Sequence, residues 1–433
     1  MPLEISDSIM VFVPILEKVW QILKAWWWVP LPFLFWKPFR ILYFYFINER
    51  WDSTIEKVIL EIRMPKEVLK PIRAMEEVFA GFHAIHDVLV WREIWLEGQF
   101  QLSFSCEIVS LGGEVHFYIR VPKNFRNIIE SNIYSQYPEA EIFEVEDYTK
   151  AVPQDIPNKD WDLWGTSFIN SNDEIYPIKT YLKFESEREI KEEKRVDPLA
   201  GLLEGMTTLK PGEQFWFQIR VVPTRNEAKQ WIKRGLEIRD KLVRRPGKPK
   251  LKPLVQEAAE VLIAGKPPGA APPEEKEFIP PEMKLTPGER EIVAAIEEKI
   301  SKFGFDCHIR FIYLGKRDIF FKPRARFAFG FFKEVSTENL GGFKPDKRIM
   351  TKVKSVPFWF LDKRRVYIRK RRLFRYYQKR WPPLFPRAGW TYILNTAELA
   401  TLYHFPGRIV APAPGVPRVE VKKGEAPSGL PIE

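Results

Sequence analysis

The chain has 433 residues, 45% of them hydrophobic, which is enough for two or three domains with proper cores and excludes a disordered tail. Its 68 Lys and Arg against 57 Asp and Glu give a net charge of +11, which favours partners of negative charge, either nucleic acid or anionic lipid headgroups. Two cysteines, Cys106 and Cys307, are too few for a secreted disulfide framework; both fall on apolar faces of predicted strands and read as reduced core residues of a cytosolic body.

From Ile9 to Phe46 the chain is apolar and aromatic. Glu4 and Asp7 replace the basic start of a signal peptide, and no small-residue cleavage site follows, so the segment is expected to stay attached. The run from Val19 to Trp36 is at the short limit for a membrane span, is interrupted by Lys24 and contains Pro30 and Pro32, which suits a re-entrant or interfacial anchor at least as well. Trp26, Trp27, Trp28, Phe33, Phe35 and Trp36 are the candidate anchor residues, because clustered aromatics favour the headgroup region. Lys37, Arg40 and Arg50 would then hold the following domain on the cytoplasmic side of the cell membrane. A buried hydrophobic helix or a docking surface for a partner are the competing readings.

Val58, Leu60, Ile62 and Met64 alternate as a half-buried strand does, and Ile72, Met75, Phe79 and Phe82 recur at helical spacing after Pro71. Phe100 to Ile108 and Val115 to Val121 alternate on either side of Gly112-Gly113, a strong hairpin signal. A helix over Phe125, Ile129 and Ile133 and a strand over Ala140 to Asp147 complete the order βαββαβ, the ferredoxin-like plan. A degenerate second copy is expected: a strand over Tyr176 to Phe184, a helix over Pro198 to Leu209, a strand over Phe215 to Val221, a helix over Ile292 to Phe303 and a strand over Cys307 to Tyr313. The predicted fold class is α+β, divided into an anchor at 1–50, a ferredoxin-like domain at 51–150, a second α+β domain at 171–345 with a basic, Pro-rich insertion at 224–287, and a basic aromatic arm with a Pro-rich tail at 346–433.

The chemistry of nucleotide binding is missing. No Gly-x-x-x-x-Gly-Lys-[Ser/Thr] loop occurs, and the Gly-Lys pairs at 247–248 and 265–266 are each followed by Pro, which lacks the N–H that such a loop uses. Nor is there a Gly-x-Ser-x-Gly nucleophile elbow. His83 and His86, three apart on a helix, suit a metal on one face, or serve as ordinary polar histidines. Glu139, Glu141, Glu144, Glu146 and Asp147 read as a solvated face. The expected protein is therefore not an enzyme and takes no cofactor and no metal.

The stretch richest in charge is Lys363 to Arg380, with ten basic residues, no acid, and Tyr367, Phe374, Tyr376 and Tyr377 between them. On a helix, Val366, Lys370, Leu373 and Tyr377 share a docking face. That leaves most of Lys363, Arg364, Arg365, Arg369, Lys370, Arg371, Arg372, Arg375, Lys379 and Arg380 to meet DNA, anionic lipid or an acidic partner. Near the end, Thr396 reads as an N-cap, Leu399, Leu402 and Tyr403 as an apolar stripe, and Pro406-Gly407 as a stop.

Four stretches carry a family resemblance: Trp26-Trp-Trp-Val-Pro-Leu-Pro-Phe-Leu-Phe-Trp-Lys-Pro-Phe39, residues 63–72, residues 133–142 and Ala397-Glu-Leu-Ala-Thr-Leu-Tyr-His-Phe-Pro-Gly407. Together they resemble an uncharacterised family of candidate-phylum bacteria. It corresponds to the membrane-anchored region that precedes the motor in type IV secretion and conjugation ATPases of the FtsK/HerA superfamily. The resemblance implies a non-catalytic, membrane-associated component that anchors or docks a separately encoded DNA-translocating ATPase, met at Thr396 to Gly407 and the Pro-rich run beyond. Its implied partners are membrane lipid, that ATPase subunit, DNA and further copies of the chain in a homo-oligomer. Independent nucleic-acid binding through residues 363–380 is the alternative.

Overall fold

The computed structural model describes residues 18, 20–21, 24–26, 28–65, 70–184, 197–224, 230–243, 285–356, 359–381 and 390–407, apart from the side chains of Pro30 and Phe33. The Pro-rich part of the insertion and the tail after Gly407 lie outside these residues. The chain divides into a small unit, Met1–Glu56 with Val88–Phe100, and a large unit made of the remainder.

In the small unit, α1 (Pro30–Asp52) starts on a proline, whose missing N–H costs nothing in a first turn. One side of α1 packs on the helical turn Glu93–Glu97: Tyr43 Oη donates to the Trp95 carbonyl at 2.7 Å, and the Phe44 and Trp95 rings meet edge to face at 4.8 Å. Trp51 meets Phe100 in the same manner at 5.0 Å. Apolar side chains run all round α1, but Lys37, Arg40, Glu49, Arg50 and Asp52 interrupt them, and no helix among the described residues is long and apolar enough to cross a membrane. A membrane-spanning anchor, one of the forms expected for this segment, is therefore not part of the described fold.

The large unit is built on β1 (Lys57–Arg63), β2 (Phe104–Leu111), β3 (Glu114–Pro122), β4 (Glu141–Val145), β5 (Trp161–Asn170), β6 (Glu213–Thr224), β7 (Gly304–Lys316), β8 (Phe343–Pro345) and β9 (Tyr392–Asn395). They form one nine-stranded sheet in the order β4-β1-β3-β2-β6-β7-β5-β8, with β9 added to the start of β7 and every pairing antiparallel. Gly112 and Gly113, with φ of +65° and +105°, make the tight β2–β3 turn that a side chain at either position would strain.

The expectation of a ferredoxin-like domain beside a second copy is overturned by one seam. β2 pairs with β6 from Phe104↔Val221 to Leu111↔Gln214, so the edge that would close a free-standing domain is consumed and a single sheet runs through. The strand expected over Tyr176 to Phe184 is not there either: the Ile178 and Tyr181 N–H groups bond to Glu398 Oε1 (2.9 Å) and Thr401 Oγ1 (2.8 Å) in place of a sheet neighbour. Its role falls to β5, which is buried on both faces and therefore shows no clean alternation.

One face of the sheet carries α2 (Ile72–Phe82), α3 (Arg126–Gln136), α4 (Ala200–Thr207) and α7 (Arg326–Glu334) over the larger core, while α5 (Trp231–Leu242) and α6 (Pro287–Ser301) pack together beside it around Trp231, Ile296 and Ile393. Cys106 and Cys307 are both buried in that larger core. The residues expected as an appended arm are integral. α8 (Asp362–Lys379) covers the opposite face through Leu373, Phe374 and Tyr377, and a notch at Gly165, where a Cβ would stand 2.9 Å from Leu373, lets it approach.

The last helix, α9 (Thr396–Leu402), is buried at every residue. Its N-cap is Asn395 and not Thr396: Asn395 Oδ1 accepts from the Glu398 N–H (2.8 Å) while Glu398 Oε2 accepts from the Asn395 N–H (2.9 Å), a reciprocal capping box. Thr396 Oγ1 instead donates to Glu76 on α2. Lys299 and Glu398 form an ion pair of 2.9 Å with both side chains fully buried. Because Leu399 is fully buried, Leu399→Ala is expected to lower stability by about 2–5 kcal/mol in urea unfolding, where a surface helix would show a few tenths.

Candidate functional site

Exposed apolar residues gather on α1 of the small unit. Phe35, Phe39, Leu42 and Phe46 follow the spacing i, i+4, i+7, i+11 and are 57%, 59%, 54% and 66% exposed, on the side of the helix away from Phe44 and Trp51, with Phe39 at its edge stacked on Tyr43 at 6.1 Å. Of the residues singled out in the sequence, Trp26, Trp28, Phe35 and Trp36 are all more than half exposed. Trp27 lies outside the described residues, as does the Phe33 side chain. A shallow cleft of ≈ 220 Å³ between α1 and the Trp91–Leu96 segment is lined by aromatic rings with Arg40 among them.

The cationic helix α8 is more divided than its sequence suggests. Arg380, just past its end, is buried in the left-handed conformation (φ +55°) and drives its guanidinium onto the sheet. Arg380 Nε and Nη2 meet Glu107 Oε1 and Oε2 at 3.0 and 3.1 Å, and Nη1 meets Asp147 Oδ2 at 2.5 Å. Glu107 on β2 also accepts from Ser105 Oγ (2.7 Å), Tyr148 Oη (2.6 Å) and Gln218 Nε2 (2.8 Å). Burial pushes the Glu107 carboxyl up, yet the Arg380 charge and these hydrogen bonds hold it below the usual carboxylate value. Asp147, read from the sequence as part of a solvated face, is half of this clamp, and it too is held low against the effect of burial by Arg380.

Four more of the ten basic residues are engaged. Lys370 Nζ pairs with Asp162 (2.6 Å), Arg369 Nη1 donates to the Lys347 and Met350 carbonyls (3.0 Å each), Arg371 Nη1 to the Asp155 carbonyl (3.1 Å) and Arg365 Nη1 to Ser355 Oγ (2.6 Å). Five of the ten, Lys363, Arg364, Arg372, Arg375 and Lys379, have exposed side chains. With Ile368, the last four lie at i, i+8, i+11 and i+15 and form a continuous cationic ridge about 22 Å long.

Beneath α8 the sheet keeps a row of polar groups that sequence reasoning missed. Arg310 on β7 is buried with its guanidinium 6.0 Å from the Tyr377 ring, and burial lowers it to about 9. His308 Nδ1 donates to the Trp390 carbonyl at 2.7 Å, and its Nε2 lies 3.2 Å from Ser167 Oγ. Burial, joined by the neighbouring Arg310 charge, lowers His308 to about 3.

His83 and His86 line an open cleft of ≈ 650 Å³ with Thr224, Trp231, Lys302 and Phe303. Their rings lie 6.0 Å apart at 13°, His83 Nε2 sits 3.2 Å from the Thr224 carbonyl, and its ring stacks on Phe303 at 4.7 Å. Among the described residues no group of three or more His, Cys, Asp or Glu is placed to hold a metal. Of the segment expected to meet a motor chain, Thr396 to Gly407 offers no exposed residue, and the Pro-rich run beyond it lies outside the described residues.

These features define an α+β protein with a single antiparallel sheet and two outward-facing surfaces, one aromatic and one cationic. The chain belongs to the family of the domain of unknown function DUF8128, whose model matches residues 50–355. No curated protein matches it. The apolar stripe of α1 and the whole of α8 fall outside the matched residues.

The buried groups predict how the fold responds to acid. An unfolded His308 takes up a proton near its ordinary value of 6.5, whereas the folded one resists until about 3. Stability is therefore lost as pH falls between those values, by up to about 1.4 kcal/mol per pH unit, and His308→Gln should flatten that slope in unfolding curves. Glu107 and Asp147, held low, contribute stability above the ordinary carboxylate range that disappears as pH falls through it. Arg380→Met strands a buried carboxylate and should cost about 3–5 kcal/mol, part of which Glu107→Leu in the same chain restores.

Proposed function

We propose that this protein is a non-catalytic, peripheral component of a membrane surface, held there by the face of α1 that carries Phe35, Phe39, Leu42 and Phe46. The observation that carries the proposal is that stripe: four large apolar side chains at one helical spacing, all more than half exposed, on a helix whose opposite side already packs within its own unit. A soluble surface rarely leaves so much contiguous apolar area uncovered. Tryptophans at the start of the helix suit the headgroup layer, and Lys37 and Arg40 lie off the stripe, from where their long stems reach phosphates. A helix lying in the plane of the interface needs an apolar face and no span, which agrees with the charges that interrupt α1.

The resemblance to the non-motor region of secretion ATPases supports a separately encoded ATPase as the partner brought to that surface. Of the stretches that carry the resemblance, 397–407 is core, whereas 133–142 keeps Tyr134, Ser135, Pro138, Glu139 and Glu141 exposed and is the one of these two that could face such a partner.

Flotation of the full chain with phosphatidylcholine vesicles tests the attachment. The wild-type chain is expected to float, and Phe39→Asp with Phe46→Asp to reduce vesicle binding by about tenfold or more while leaving the unfolding midpoint unchanged. A wild-type chain that stays at the bottom of the gradient would refute the proposal.

A further inference from the structure

We infer that the large unit carries a second, charge-reading contact for the bilayer, formed by the tip before α8 and the cationic ridge along it, and that its ligand is an anionic lipid surface. The inference rests on the bilayer reading above and adds lipid selectivity to it.

Among the described residues of the large unit the most exposed large apolar side chains lie at this tip: Val356 is 96% exposed, Trp359 74% and Phe360 64%. It is held to the helix. The Ser355 N–H donates to Asp362 Oδ2 at 3.0 Å, in the first turn of α8, and Arg365 Nη1 donates to Ser355 Oγ at 2.6 Å, so Ser355 is tied to the start of the helix through both its backbone and its side chain. Exposed cations flank the tip, Lys352 and Lys354 before it and Lys363 and Arg364 after it.

From Arg364 the ridge continues through Ile368, Arg372, Arg375 and Lys379 with no acidic residue among them. A surface of phosphates satisfies the ridge, whether it belongs to lipid or to nucleic acid. The tip separates the two. An aliphatic Val356 beside Trp359 and Phe360 gains nothing from a sugar–phosphate backbone, whereas the headgroup boundary of a bilayer takes a tryptophan and buries valine and phenylalanine below it. Each Lys or Arg near an anionic surface adds about 1 kcal/mol of attraction, so four of them suffice to set the lipid preference.

The test uses the full chain and two vesicle compositions, phosphatidylcholine alone and phosphatidylcholine with phosphatidylserine. Wild type should bind the second more tightly. Trp359→Ala with Phe360→Ala, and separately Arg364→Glu, Arg372→Glu, Arg375→Glu and Lys379→Glu together, should each remove about tenfold or more of the phosphatidylserine-dependent gain while keeping the binding to phosphatidylcholine. All six positions are exposed, so unfolding midpoints should not move. Phe39→Asp with Phe46→Asp should show the reverse pattern, which tells failure of the α1 reading from failure of this one. Equal binding of wild type to both vesicles overturns the inference. So does loss of duplex DNA binding by the charge-reversed chain with vesicle binding intact, which would assign the ridge to nucleic acid.

Discussion

Strands β2 and β6 exchange hydrogen bonds along their whole shared length, and that exchange places β3, β2, β6 and β7 in the middle of a sheet with no free edge among them. Central strands of a wide sheet need cover on both faces. The helices α2, α3, α4, α7 and α9 supply it on one side. On the other, the row from Glu107 through Gln218 to Arg310 is polar, and a polar row can be covered only by something that answers its charge. Arg380 answers Glu107, and Leu373, Phe374 and Tyr377 close the apolar remainder around Trp216.

This explains why α8 is so basic and why counting its charges misleads. Arg369, Lys370 and Arg371, with Arg380 just beyond the helix, work inward or sideways on carboxylates and carbonyls of the protein itself, while Arg364, Arg372, Arg375 and Lys379 line up in an exposed ridge. The same division holds on α1, where an all-round apolar helix proves to have one face spent on Trp95 and another unspent. In both helices the exposed surface is what remains after the fold has taken its share.

Much of the fold was legible from period and turn chemistry. β1, β3, β6 and β7 lie where alternating residues placed them, Gly112-Gly113 turns as its dipeptide suggests, and the docking side of α8 holds Leu373 and Tyr377 as its spacing required. The seam was not legible, because a strand buried between two neighbours and a strand at an edge can share one pattern. β5 was missed since both of its faces are buried, and the N-cap was misplaced by one residue because Asn395 is also the last residue of a strand. Glu107 and Arg380 are separated by 273 positions, and no local signal joins them. The spacing of Phe35, Phe39, Leu42 and Phe46 is present in the sequence, but which side of an all-round apolar helix stays exposed depends on Trp95, which lies 51 residues beyond Phe44.

The late position of β9 and α9 has a bearing on how the molecule is made. Helix α2 begins at Ile72, yet the residues that pack against it, Ala397 to Tyr403, leave the ribosome last of all the described chain. At ordinary rates of translation that gap lasts about 15–60 s, during which Phe79 and its neighbours have no permanent cover. Until then the apolar face of α2 that α9 covers in the finished fold stays without that cover, so the last described segment closes the core of one of the first.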